Sequence, residues 1–62
     1  MAVLHMTMND GDHTWKMDWD TQRDIDLYMQ RAYDGEHFTF MSDGRRLVIN
    51  PQKAAAIWIT ED

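Results

Sequence analysis

A chain of 62 residues with a net charge of −5 and no cysteine can bury only a small core, and no disulfide can reinforce that core. The negative charge argues against general binding to a nucleic-acid backbone, because such binding requires a basic surface. No run of about 20 apolar residues could span a bilayer, and the first residues lack the basic and apolar regions of a secretory signal. We therefore expect one compact domain over residues 1–62 that is cytoplasmic, with no direct contact with nucleic acid or membrane.

The first predicted element is a β-hairpin that turns at Asp10-Gly11. An Asp-Gly pair favours a two-residue type I′ loop between antiparallel strands. With this loop, the facing pairs are Met8 and His13, Met6 and Trp15, Leu4 and Met17, and Ala2 and Trp19. One face of the hairpin is then almost wholly apolar, and a shift of the register by one residue would destroy the match.

A helix is predicted over residues 21–34, because apolar residues recur there at helical spacing. Asp20 or Thr21 can cap its start, where Thr21 and Asp24 resemble a capping box. Gly35 can adopt the left-handed conformation that ends a helix. The stripe that should pack on the sheet consists of Ile25, Tyr28, Met29 and Ala32.

A second hairpin is predicted around Asp43-Gly44 by the same turn chemistry. Its apolar face pairs Phe40 with Leu47 and Phe38 with Ile49, and its other face pairs Thr39 with Val48 and Met41 with Arg46. The agreement between turn type and apolar pairing again specifies a register.

The last segment combines a short helical turn with a strand. Asn50 can cap a turn that begins at Pro51 and ends near Lys53. Residues 57–60 (IWIT) favour a strand, with both isoleucines in the core and Trp58 on the opposite face. The predicted fold is α+β: an antiparallel sheet of two hairpins plus a C-terminal strand, with one helix packed on one face, in the order β-β-α-β-β-β.

Four apolar residues have no place in this predicted core. Leu27 points away from the helical stripe, and Met41, Val48 and Trp58 share the sheet face opposite the core. A single exposed apolar side chain is ordinary, but a group that contains Trp is typical of a protein interface. We therefore predict an interface formed by Met41, Val48, Trp58 and Leu27, with a second copy of the chain as the first expected partner.

Few residues point to catalysis or metal binding. Ser42 precedes the second turn, where its hydroxyl is expected to brace the turn and not to attack a substrate. His13 with Asp10 or Asp12 could hold a metal, but the requirements of the turn explain both aspartates. The chain contains no Gly-rich phosphate loop and no His-Glu-x-x-His motif. We expect no catalytic residue, no metal and no cofactor.

Acidic residues cluster at both ends of the predicted helix. They are Asp18, Asp20, Asp24 and Asp26 at its start and Asp34 and Glu36 at its end. Such charges could imitate nucleic-acid phosphates and occupy the groove of a DNA-binding protein. Because Arg23 and Arg31 interrupt this surface and capping explains two of the aspartates, docking to a protein surface is the broader hypothesis.

The order of a short hairpin, a helix and the segment 38–51 (FTFMSDGRRLVINP) resembles that of small uncharacterised proteins carried by bacterial viruses and prophages. Such proteins often bind a host enzyme, a defence complex or a transcription factor. The resemblance therefore implies an inhibitor or adaptor with a host protein partner, and it transfers no catalytic residue.

These observations predict a small acidic, non-enzymatic protein-interaction module that is homo-oligomeric and acts as an inhibitor or accessory factor. Two alternatives stay open. Trp15, Trp19 or Tyr33 could line a cleft between subunits that captures a small molecule without converting it. The acidic residues could instead make the chain a mimic of nucleic acid.

Overall fold

The computed structural model describes residues 1–19 and 21–61. Within them the elements are β1 (Ala2–Met8), β2 (Gly11–Lys16), α1 (Gln22–Asp34), β3 (Phe38–Ser42), β4 (Arg45–Ile49), a 3-10 turn (Pro51–Lys53) and β5 (Ala56–Glu61). This order confirms the predicted α+β fold with the elements β-β-α-β-β-β. The strands divide into two antiparallel sheets, β2-β1-β5 and β3-β4.

The first hairpin turns at Asn9-Asp10 and not at Asp10-Gly11, so the predicted register is wrong by two residues. The observed pairs include Met8 with Gly11, Met6 with His13 and Leu4 with Trp15. A type I′ loop at Asp10-Gly11 would need a positive φ at both residues, but of the two only Gly11 has one, at 125°. A shift of two residues leaves every side chain on its original face, so alternation alone could not exclude it.

The corrected register moves Met17 and Trp19. Met17 lies opposite Ala2, and its N–H donates to the Ala2 carbonyl over 2.9 Å. Met17 is fully buried, whereas Trp19, which was predicted to face Ala2, is 73% exposed. The large core residue at this end of the sheet is therefore a methionine and not a tryptophan.

The second hairpin has the predicted register. Phe38 pairs with Ile49, and Phe40 pairs with Leu47. The loop residues Asp43 and Gly44 have φ values of 52° and 74°, which are the two positive values that a type I′ loop requires. Turn chemistry and apolar pairing therefore agree here.

The C-terminal strand β5 pairs with β1, which is the central strand of its sheet. Before it, the side-chain oxygen of Asn50 accepts from the N–H of Gln52 at 3.1 Å and caps the 3-10 turn. Ile57 and Ile59 pack against the core, and alternation places Trp58 on the outer face. The predicted turn and the predicted faces of the last strand are confirmed.

The helix begins and ends as predicted. The Thr21 hydroxyl accepts from the N–H of Asp24 at 3.2 Å, and an Asp24 carboxylate oxygen accepts from the N–H of Thr21 at 3.1 Å, which completes the capping box. Gly35 ends the helix with a φ of 74°. The predicted capping role of Asp20 lies outside the described residues. Neither α1 nor any other helix in the described part of the chain is long and apolar enough to cross a bilayer.

The core lies where the helix meets both sheets. The helix contacts β3 and β5; Ile25 is buried, and the Tyr28 ring stacks on Phe38 with a centroid separation of 5.3 Å. The buried cluster consists of Ala2, Leu4, Met6, Met17, Ile25, Phe38, Phe40 and Ile49. Because each element contributes only a few of these residues, no hairpin has a sufficient core by itself.

Candidate functional site

An apolar groove runs between the two sheets and has a volume of about 300 Å³. We call it the intersheet groove. It is lined by Met6, Met8 and Trp15 from the first hairpin and by Leu47, Val48, Ile49, Asn50 and Lys53 from β4 and the turn after it. Because apolar side chains dominate this lining, a molecule bound there would have to present apolar groups.

The backbone edge of β4 borders this groove. Leu47, Val48 and Ile49 are consecutive in the strand, and consecutive side chains point to opposite faces of a sheet. The three residues can therefore line one groove only along the strand edge. Within the described residues, β4 has β3 as its single neighbour in the sheet.

The hairpin geometry identifies which backbone groups of β4 point away from β3. A two-residue loop makes its flanking residues, Ser42 and Arg45, a hydrogen-bonded pair, and such pairs alternate along antiparallel strands. The N–H and C=O groups of Arg46 and Val48 therefore point outward, toward the open side of the sheet. We call these backbone groups the free β4 edge.

A hydrogen bond on the opposite side of the hairpin agrees with this alternation. Met41 pairs with Arg46, so its carbonyl should also point outward from the hairpin. It accepts from the N–H of Asp18 over 2.9 Å, and this contact connects the two sheets. Among the described residues, no backbone hydrogen bond from another element reaches β4.

Positive charge is concentrated in the segment that contains β4 and the turn after it. Residues 45–53 contain Arg45, Arg46 and Lys53 and no acidic residue, whereas the other residues include all 11 acidic side chains of the chain and only three basic ones. None of the three cations takes part in an ion pair within the described ranges; the Arg46 guanidinium donates a hydrogen bond to the Thr39 hydroxyl of β3 at 3.4 Å. This acidic chain therefore presents a basic strip beside its apolar groove.

The four residues of the predicted interface do not lie on one sheet. Val48 is 65% exposed in β4, whereas Trp58 is 41% exposed in β5. These strands belong to separate sheets, so the prediction of one sheet face that carries both residues is wrong. Met41 and Val48 share the outer face of the β3-β4 sheet, where Met41 is half-buried and Val48 is exposed. Leu27 is exposed on the helix. Alternation identifies the face of a strand but not the sheet that the strand joins.

Trp58 is held in place although it is exposed. Its ring stacks on His5 with a centroid separation of 5.0 Å and an interplanar angle of 4°. The Nε2 atom of His5 lies 2.8 Å from the hydroxyl oxygen of Thr60. An ordered aromatic side chain loses little entropy when a partner covers it, so this face is also a candidate contact surface.

Of the aromatic residues considered for ligand capture, Trp15 lines the intersheet groove. Its ring also stacks on His13 with a centroid separation of 5.8 Å. Trp19 and Tyr33 are strongly exposed and do not belong to the groove lining. Of the three aromatic residues predicted to capture a small molecule, Trp15 alone therefore lines the groove of a single chain.

The residues considered for a metal site form a turn contact. The Nε2 atom of His13 lies 3.0 Å from a carboxylate oxygen of Asp10. This hydrogen bond and the charge of His13 lower the pKa of the Asp10 carboxyl below its ordinary value. Within residues 1–19 and 21–61, no group of three or more His, Cys, Asp or Glu side chains is placed to hold a metal ion.

The second turn is braced by Asp18. Its two carboxylate oxygens accept from the N–H groups of Asp43 and Gly44 at 2.7 Å and 2.9 Å. Ser42, which was predicted to brace this turn, is buried beside it. Sequence reasoning missed the role of Asp18 because 25 residues separate it from Asp43 and no local motif marks the contact.

The other acidic residues at the helix ends also have partners within the chain. Asp24 belongs to the capping box, and Asp20 lies outside the described residues. The remaining contacts are Gln22 Nε2 to Asp26 at 3.0 Å, Gln30 Nε2 to Asp34 at 3.2 Å, and Arg31 Nη1 to Glu36 at 3.7 Å. These local roles weaken the case for a nucleic-acid mimic.

Comparison of the chain with protein-family models, with curated proteins and with solved structures found no match in any of the three.

Proposed function

We propose that this chain is a non-enzymatic protein-interaction module that docks another protein along the free β4 edge and in the intersheet groove. The observation that carries the proposal is their juxtaposition: the β4 edge, where the N–H and C=O groups of Val48 point outward, borders an apolar groove. An added strand would satisfy these groups through main-chain hydrogen bonds, and one of its side chains would enter the groove. An uncovered strand edge otherwise invites non-specific pairing.

The groove chemistry supports binding without conversion. Among the described residues that line it, none is a histidine, a carboxylic acid or a hydroxyl. Such side chains supply many of the general bases and nucleophiles of enzymes, and among the described lining residues the Lys53 amine alone is of a type that can take these roles. A role as inhibitor or accessory factor fits this surface, because occupying a partner requires no reaction.

We also infer that two copies of the chain associate through the outer face of the β2-β1-β5 sheet, centred on Trp58 and His5. The support for this inference is an exposed tryptophan whose ring is already ordered by stacking. Tryptophan is enriched among the residues that contribute most to interface affinity. A second copy would cover this ring and leave the free β4 edge available.

Small-molecule capture is the second candidate function, and Trp15 on the groove wall favours it. The groove volume of about 300 Å³ lies at the lower end of the range of ligand pockets. A captured molecule would therefore be small and largely apolar.

Native mass spectrometry of the freshly purified chain separates these possibilities. A dimer without added mass is the result expected for an interaction module. A reproducible small-molecule adduct would favour capture. A monomer without an adduct at micromolar concentration would contradict the homo-oligomer.

Proline at position 48 tests the docking edge. Val48→Pro removes an outward N–H without removing a hydrogen bond to β3. Thr14→Pro is the matched control, because Thr14 pairs with His5 at a position of β2 whose N–H points away from β1 by the same alternation. In affinity capture from bacterial extracts, Val48→Pro should lose the partners that the wild type and Thr14→Pro retain. Retention of the same partners by Val48→Pro would contradict docking at this edge.

A further inference from the structure

The charges beside the free β4 edge discriminate among strands that could pair with it. Arg45 and Arg46 lie at the start of β4, and Lys53 lines the groove near its other end. If the β4 strands of two copies paired with each other, their two 45–53 segments would bring six cations together. Neither segment contains a carboxylate that could neutralise them. Like charges on adjacent strands disfavour this pairing, whereas acidic residues on an added strand would form cross-strand ion pairs.

The outward groups of β4 also determine the register of an added antiparallel strand. Arg46 and Val48 would each exchange hydrogen bonds with the residue directly opposite. The side chains opposite these two residues would then share their outer face of the sheet. The intervening residue, opposite Leu47, would point to the inner face, where the intersheet groove lies.

We propose that the free β4 edge binds an extended acidic segment of another protein, antiparallel to β4, with one large apolar side chain inserted in the intersheet groove. The residue opposite Arg46 is acidic, the residue opposite Val48 is β-branched, and the residue opposite Leu47 is aromatic. From its N-terminus the segment therefore reads acidic, β-branched, aromatic, acidic, acidic. This inference rests on the proposed docking function and specifies the chemistry of the partner.

The groove lining suits a single aromatic side chain. Trp15 offers a ring for stacking, and Met6 and Met8 are flexible enough to adapt to the shape of the inserted group. Lys53, at the rim, can meet the acidic residue that precedes the β-branched one. Apolar insertion and charge pairing thus act on the same segment.

A synthetic peptide, Ser-Asp-Val-Phe-Glu-Glu-Ser capped at both ends, tests this chemistry directly. In ¹⁵N-resolved NMR titrations of the full chain, the largest amide shift changes should occur at Arg46 and Val48. Fluorescence anisotropy should give an affinity that Val48→Pro lowers by about tenfold or more and that Thr14→Pro leaves unchanged. Added salt should weaken binding, because exposed charges are screened.

Charge reversal keeps the inference testable even if Val48→Pro does not fold. Arg46→Glu should weaken binding of the acidic peptide. It should strengthen binding of Ser-Lys-Val-Phe-Lys-Lys-Ser, in which lysine replaces each acidic residue. The wild type should show the opposite preference. Equal binding of both peptides to the wild type and to Arg46→Glu would overturn the assignment of an acidic partner.

The outcomes separate this inference from the proposed function. If the wild type prefers the lysine peptide, or binds neither peptide while its captured partners still depend on Val48, the acidic segment is wrong and the docking edge stands. If neither peptide binds and Val48→Pro retains all captured partners, docking at this edge is also wrong. If Val48→Pro converts a native dimer to a monomer, a second copy occupies the edge and the inference is overturned.

Discussion

The carboxylate of Asp18 accepts a hydrogen bond from the backbone N–H of Asp43 at 2.7 Å, so a residue that follows β2 supports the loop between β3 and β4. The N–H of Asp18 also donates to the Met41 carbonyl. Backbone and side chain of one residue therefore attach the second hairpin to the first. This attachment leaves β4 as the open side of its sheet.

Asp18→Ala should lower the free energy of unfolding by about 2 kcal/mol, because it removes the charged acceptor of two hydrogen bonds that the N–H groups of Asp43 and Gly44 donate. Urea denaturation followed by circular dichroism measures this change. Asp26→Ala is the control, since the Asp26 carboxylate is exposed and accepts from the side chain of Gln22; its effect should stay within about 0.5 kcal/mol. Equal effects of the two substitutions would contradict the bracing role of Asp18.

Leu4→Ala should lower the free energy of unfolding by about 2–5 kcal/mol, because Leu4 is fully buried in the central strand and its truncation leaves a cavity. A loss of this size approaches the whole stability of a small domain, which is about 5 kcal/mol at the lower end. We expect Leu4→Ala to be largely unfolded at 25 °C without denaturant, as measured by circular dichroism during thermal and urea denaturation. Leu27→Ala, at an exposed helix position, should retain the wild-type midpoint, and a comparable loss there would contradict the assignment of the core.

Trp58→Ala should weaken dimerisation by about tenfold or more, because it removes the aromatic centre of the proposed contact between copies. Sedimentation equilibrium measures the dissociation constant. Trp19→Ala removes another exposed tryptophan and should leave that constant unchanged. If Trp58→Ala dimerises like the wild type, the proposed interface on the outer face of the β2-β1-β5 sheet is wrong.

His13→Ala should raise the pKa of Asp10 toward its ordinary value of 3.8, because the hydrogen bond from His13 and its positive charge lower that pKa. NMR pH titration of the Asp10 side-chain carboxyl carbon measures the change. A lowered pKa in the folded state means that the ionised carboxylate stabilises the fold above pH 3.8, and that this contribution is lost as the pH falls through the folded-state value. Because Asp10 is exposed, added salt should reduce the difference between the two proteins. An identical Asp10 pKa in both would contradict the coupling.

The two hairpins differ in how well their registers could be predicted. At Asp43-Gly44 both loop residues have positive φ values, so the turn preference and the apolar pairing point to one register. At the first turn, Gly11 has a positive φ, whereas Asn9 and Asp10 before it do not. The predicted and observed registers differ by two residues, so both place the same apolar side chains on one face. Local turn geometry therefore decided what alternation could not.

The candidate site was predictable in part. The exposure of Val48 and Trp58 follows from alternation in their strands, and both are exposed in the structure. Their separation into two sheets depends on β5 pairing with β1 instead of with β4. The intersheet groove results from that choice, so no residue pattern within one strand indicates it.

The sequence by itself determined the identity and order of the strands and the helix, the caps of that helix, and the inner face of each element. These features depend on residues that are close in the chain, through backbone preferences and through the periods of strands and helices. The tertiary structure alone decided the division into two sheets, the bracing of the second turn by Asp18, and the open edge of β4 beside the groove. Each of these depends on contacts between distant segments, whose free energy comes from burying a shared core and satisfying backbone groups and not from local preference.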